Sequence, residues 1–146
     1  MNFNKTTEYA LRILSFMAQD ESRLYRVDDI YKELKIPYRY LRRLMTGLTR
    51  SNLIISEQGK YGGYRFAKPI ASISLMDIVS AAGEDRLADE CFFGIGGCIQ
   101  VNKCVMHDKW TLIREKMREV LNTTNLADLK NNGPINMSPE IKIINN

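Results

Sequence analysis

Near residue 52 the apolar pattern changes from a helical period to short β-prone runs, and this switch limits the fold more than any other feature. Upstream lie three helical segments. Tyr9, Ala10, Ile13, Leu14 and Met17 recur at helical spacing in a segment that Asn4 can cap and that runs to about Gln19. Arg26 to Lys35 reads as a shorter helix that buries Val27, Ile30, Tyr31 and Leu34, and it stops near Ile36 because Pro37 restricts the residue before it. Pro37 then opens a third helix through about Ser51, with Leu41, Leu44, Met45 and Leu48 as its inner stripe. Downstream, Leu53 to Ser56 and Tyr64 to Ala67 form a β-ribbon whose tip holds Gly59, Gly62 and Gly63. This order predicts a winged helix-turn-helix, whose third helix enters the major groove while the wing touches the DNA backbone or minor groove.

The charge distribution agrees with a polyanion partner for this half of the chain. From Met1 to Pro69 there are 13 Lys+Arg against 7 Asp+Glu, a balance of +6; from Ile70 onward the count is 8 against 10, a balance of −2. Opposite the apolar stripe of the third helix the sequence sets Arg39, Tyr40, Arg42 and Arg43, with Tyr38 beside them. Guanidinium groups bind phosphates bidentately or pair with guanine edges. Lys60, Tyr61 and Arg65 on the ribbon are expected to add phosphate contacts. A solvated arginine face and an ordinary hairpin turn are the plainer readings of the same residues.

With 146 residues, 45% of them hydrophobic and 26% charged, the chain is expected to form one soluble globular unit. The richest apolar run, Tyr9 to Ala18, contains Arg12 and is too short to span a bilayer, and no signal peptide is evident, so a cytoplasmic protein is expected. Ser74 to Asp77 carries a capping pattern for a helix ending near Gly83. From Glu84 to Lys103 there is no sustained periodicity, and a glycine-rich loop holds the first two cysteines. A long helix starts around His107, with Trp110, Ile113, Met117, Val120 and Leu121 on one stripe that can pack at home or against another copy; Trp110 reads as core. A small helix with Leu126 and Leu129 follows Thr124, and the tail from Asn131 reads as a mobile end. The fold class is therefore mainly α with a small β-ribbon. Residues 1–69 are expected to form the DNA-binding region, 70–130 a cysteine-bearing loop with the dimerisation helices, and 131–146 a flexible tail.

Cys91, Cys98 and Cys104 are an odd set that suits no disulfide framework, and His107 follows Cys104 by three residues. Soft thiolates with one imidazole suit zinc or an iron-sulfur cluster. The tight Cys knuckles of zinc sites are missing, and wider spacings in a glycine-rich loop better suit a cluster of two or more irons. Three soft residues scattered in a loop are the plainer reading. An enzyme with Cys104 as nucleophile and His107 as base is the weakest alternative, since no oxyanion elbow or orienting acid is evident.

The sequence resembles the Rrf-two family of bacterial winged-helix transcription regulators. The likeness runs from Lys5-Thr6-Thr7-Glu8-Tyr9-Ala10 through Ile36-Pro37-Tyr38-Arg39-Tyr40-Leu41 and Gly59-Lys60-Tyr61-Gly62-Gly63-Tyr64 to Thr124-Asn125-Leu126-Ala127-Asp128-Leu129. Gly97-Cys98 and Lys103-Cys104-Val105-Met106-His107-Asp108-Lys109-Trp110 look most like the branch that regulates iron-sulfur cluster assembly. What that resemblance implies is a [2Fe-2S] cluster held by Cys91, Cys98, Cys104 and His107. The Cys91 to Cys98 gap is one residue longer than in that branch, and Arg42 and Arg43 stand where its regulator has an acidic residue and an amide. Glu8 stands where relatives that sense nitric oxide or redox state use a carboxylate ligand from the partner subunit, so a [4Fe-4S] cluster on three Cys and Glu8 competes. The expected protein is a homodimer on double-stranded operator DNA, controlled by the cluster. Its alternative is a metal-free regulator of the same family with a cysteine thiol switch or control by a small molecule or partner.

Overall fold

The computed structural model describes residues 3–84, 90–94 and 103–132. Helix α1 (Lys5–Met17) starts as the sequence predicts, with the Asn4 side chain accepting from Thr7 N at 2.9 Å. It is followed by α2 (Val27–Leu34) and α3 (Tyr38–Arg50). Lys35 ends α2 in the left-handed region at φ 53°. Pro37 proves to be the cap of α3 rather than its first helical residue, and its carbonyl accepts from Leu41 N at 2.9 Å.

The ribbon is β1 (Ile54–Glu57) paired antiparallel with β2 (Gly63–Phe66), one residue off the predicted strands at each end, in the register Ile54↔Phe66 to Glu57↔Gly63. Gly62 is required at the tip because a Cβ there would stand 2.1 Å from the Glu57 carbonyl oxygen. A third piece of backbone joins the ribbon: Tyr25 and Tyr64 exchange N–H···O bonds of 2.9 and 2.8 Å, which lash the wing to the turn before α2. A single bridge residue carries no alternation, so nothing periodic in the sequence marks it.

The core does not stop at residue 69. Ile70, Ile73 and Ile78 belong to one apolar cluster with Ile13, Leu14 and Met17 of α1, Leu41, Met45 and Leu48 of α3, and Leu126. Ile78 lies on α4 (Leu75–Ala81), which opens on a capping box between Ser74 and Asp77 as predicted. Leu126 opens α6 (Leu126–Asn131), capped by Asn125. Leu75 N donates to Thr124 O at 2.9 Å and Leu126 N to Ile73 O at 3.0 Å, so the chain returns from the long helix to the base of α4. Asn131, where the predicted tail begins, still belongs to α6 and Asn132 caps it, while residues 133–146 lie outside the described residues.

Helix α5 (His107–Thr123) leans on α4 and buries only Leu121 of its stripe. Leu112, Ile113 and Val120 stay 69%, 51% and 48% exposed. Among the described residues no helix is long and apolar enough to cross a membrane.

Candidate functional site

The α3 periodicity puts Leu41, Leu44, Met45 and Leu48 into the core and turns Arg39, Arg42, Arg43 and Thr46 outward. None of these three arginines has an ion-pair partner among the described residues, so the helix presents uncompensated positive charge. Tyr38, 42% exposed, flanks this face. Its ring meets Tyr31 edge-on at 5.6 Å, and the hydrogen bond to Asp28 holds its phenol above the usual range.

Tyr40 corrects the sequence reading. It is half-buried, not part of the exposed face; its ring packs edge-on against Tyr9 at 5.6 Å and its hydroxyl lies 2.5 Å from Thr6 Oγ1. At 3.6 residues per turn it sits about 90° round the helix from the middle of the apolar stripe, on the flank that meets α1. Tyr40 thus couples α3 to α1.

On the wing, Tyr61 is 79% exposed and Lys60 Nζ stands over its ring at 5.5 Å from the centroid. Arg26, which the sequence reading passed over, donates to the Lys60 carbonyl and braces the tip. Arg65 is not free on the ribbon: its Nε donates to the Glu57 carboxylate on the facing strand. Both groups are about half exposed, so the pair is weak and a phosphate can compete for the guanidinium.

In the second half, Cys91 is half-buried, and Cys104 is an exposed, free thiol. The predicted third thiol, Cys98, lies outside the described residues. Among the described residues no three His, Cys, Asp or Glu side chains converge as a metal site. His107 sits at the first turn of α5, its backbone N donating to Cys104 O at 3.0 Å. Its Nδ1 is buried with no hydrogen-bond partner among the described residues, and an imidazole nitrogen in that state can serve as a metal ligand.

Trp110 is a second correction. It does not enter the core; its indole N–H donates to Glu90 O at 2.8 Å and its ring meets Phe92 edge-on at 5.4 Å. With Gly94 N bonded to Cys91 O at 2.9 Å, this pins the Cys91 turn against the start of α5, one helical turn from His107. Glu8, the alternative ligand, pairs with Lys5 at 2.6 Å in the first turn of α1, where the helix dipole favours a carboxylate.

Glu84 links the two halves and was invisible in the sequence. Its carboxylate accepts from Asn4 N at 3.1 Å and from the Thr7 hydroxyl, so the residue that begins the cysteine-bearing segment caps α1. Thr6, beside Thr7, holds Tyr40 of the arginine-bearing helix.

The Rrf2 family model, described as an iron-dependent transcriptional regulator, matches residues 3–132. A protein named as an HTH-type transcriptional regulator of Aquifex aeolicus is 30% identical over 133 residues, covering 90% of this chain and 92% of its own. The HTH-type transcriptional regulator IscR of Klebsiella pneumoniae is 35% identical over 107 residues, 73% of this chain, and the match spans 65% of IscR. Among solved structures, CymR, the global cysteine regulator of B. subtilis, superposes with a TM-score of 0.79 at 21% identity, over 92% of this chain and 99% of CymR. IscR of T. potens superposes with a TM-score of 0.73 at 20% identity, over 90% of this chain and 88% of its own. At those identities the structural likeness is one of fold. The relatives are transcriptional regulators, not enzymes. On the family match over residues 3–132 and its three helices, wing and long helix, the chain belongs to the Rrf2 family of winged-helix transcriptional regulators, near the IscR branch.

Proposed function

We propose that this regulator binds double-stranded operator DNA as a homodimer, with α3 in the major groove, and that an iron-sulfur cluster on Cys91, Cys98, Cys104 and His107 sets its affinity. The observation that carries the cluster reading is the Nδ1 of His107, buried without a partner among the described residues and three residues after Cys104. An unsatisfied buried donor or acceptor costs about 1–3 kcal/mol, and ligation would satisfy it. When bound, such a cluster supplies a centre that responds to redox state, nitric oxide or cluster supply. A [2Fe-2S] centre uses those four residues; a [4Fe-4S] centre on three Cys and Glu8 would first have to open the Glu8–Lys5 pair.

The residues around the cysteines supply the route to DNA. Trp110 and Phe92 hold the Cys91 turn on α5, and Glu84 fixes the start of the segment to Asn4 and Thr7. Ordering between Glu84 and Cys104 therefore acts on the first turn of α1 and, through Thr6 and Tyr40, on α3. A tenfold change in operator affinity needs only about 1.4 kcal/mol. Arg39, Arg42, Arg43 and Tyr38 would face the groove, and Lys60, Tyr61 and a released Arg65 the phosphates. Residues 1–69 serve as the DNA-reading part and 70–130 as the sensing and pairing part. The exposed Leu112, Ile113 and Val120 of α5 support pairing through that helix, which sets the spacing of two recognition helices.

Protein purified without oxygen tests this reading: iron with acid-labile sulfide, lost in His107→Ala and Cys104→Ala, is expected. Colourless, iron-free protein with normal operator binding would overturn the cluster and favour the second reading, a thiol switch. The exposed, free Cys104 is the observation behind that reading.

A further inference from the structure

A half-open cavity of about 180 Å³ lies behind the arginine face, where α1, α3 and α4 meet. Leu44, Leu48, Ala81 and Ala82 give it apolar walls, and Thr6, Tyr40 and Arg43 stand on its polar side. The polar groups are donors in excess. Thr6 and Tyr40 have two hydroxyl protons between them and share one hydrogen bond, so one proton is left over to donate. Among the described residues Arg43 has no ion-pair partner and no carboxylate side chain lines the space. Unused donors above an apolar floor select an acceptor-only head with a short hydrocarbon body.

We infer that this cavity binds a short aliphatic monocarboxylate, its carboxylate on Arg43 and the Thr6–Tyr40 hydroxyls and its hydrocarbon chain between Leu44 and Ala81. A cavity of 150 Å³ accepts benzene, so about six to eight non-hydrogen atoms fit, the size of butyrate to hexanoate. The bound head group draws Arg43 away from Arg39 and Arg42, which makes the carboxylate an effector that lowers operator affinity. Only that consequence rests on α3 reading DNA; occupancy of the cavity does not.

Calorimetry on the full chain without DNA, using butyrate, valerate and hexanoate with their primary amides as neutral isosteres, tests the assignment. Each acid is expected to bind at least tenfold more tightly than its amide. Arg43→Gln, at an exposed position, is expected to weaken the acids at least tenfold, and Ala81→Leu to abolish binding by filling the space. No uptake of any acid, equal uptake of acid and amide, or acid binding unchanged in Arg43→Gln would overturn the assignment whether or not Ala81→Leu folds. Carboxylate uptake that leaves operator affinity unchanged would count against α3 as the DNA-reading helix and not against the cavity.

Discussion

The hydroxyls of Thr6 and Tyr40 stand 2.5 Å apart and join the first turn of α1 to the helix that carries Arg39, Arg42 and Arg43. Replacing Tyr40 by Phe keeps the edge contact with Tyr9 and removes only this bond. A loss of about 1 kcal/mol is expected. For a chain of this size the corresponding fall in thermal midpoint is about 3 °C, read by circular dichroism. Operator affinity should fall with it if α1 positions α3.

Glu84→Gln keeps the shape of the side chain and removes the charge that accepts from Asn4 N and Thr7 Oγ1. Hydrogen bonds to charged groups contribute about 1.5–3 kcal/mol, so faster amide exchange over the first turn of α1 is expected. The operator affinities of holo and apo protein should also converge. Unchanged exchange would show that the carboxylate does not cap α1 in solution.

Arg42→Ala and Arg43→Ala separate base reading from charge. A guanidinium on a guanine edge is worth about 1–3 kcal/mol of discrimination, so sequence preference should relax at one position for each. Lys60→Ala on the wing should instead weaken all sequences alike and shallow the logarithmic salt slope by about one phosphate. Competition binding against random DNA at two salt concentrations distinguishes the outcomes.

Ile113→Lys places a charge on the exposed stripe of α5, while Leu121, already buried at home, is left alone. Sedimentation should show half the mass with the helical content retained. A dimer that survives both Ile113→Lys and Leu112→Lys pairs through another surface.

Tyr25 gives the alkaline limit of the fold. Burial, followed by the nearby Asp20 charge, holds its phenol above the ordinary value, and its hydroxyl donates to Asp20 O at 3.1 Å. The native state therefore keeps a proton that the unfolded chain releases near pH 10. This contribution is present below that pH and is lost as pH rises through the folded value. Tyr25→Phe should flatten the decline above about pH 10 in urea unfolding.

Local pattern made much of this molecule legible. The stripes of α1 and α3, the Ser74 capping box and the ribbon glycines act within a few residues, and each lies where spacing places it. Tyr40 was misplaced because a flank position can face solvent or a neighbouring helix, and only the packing of α1 decides. Trp110 matched the α5 stripe, yet that helix has little core beside it, so the indole closes on the Cys91 turn instead. Glu84 and the Tyr25–Tyr64 bridge act over 77 and 39 residues of sequence and leave no periodic trace. The three cysteines and His107 were visible as chemistry, and a resemblance, not a period, grouped them.

The most direct measurement is operator binding by anaerobic protein whose iron and sulfide have been quantified, before and after chelation, beside His107→Ala. Iron bound in the native chain, absent from the variant, with at least a tenfold change in operator affinity on its removal, is the expected result. Iron-free native protein, or an affinity indifferent to the metal, would contradict cluster control and leave an Rrf2-family DNA-binding regulator governed by other means.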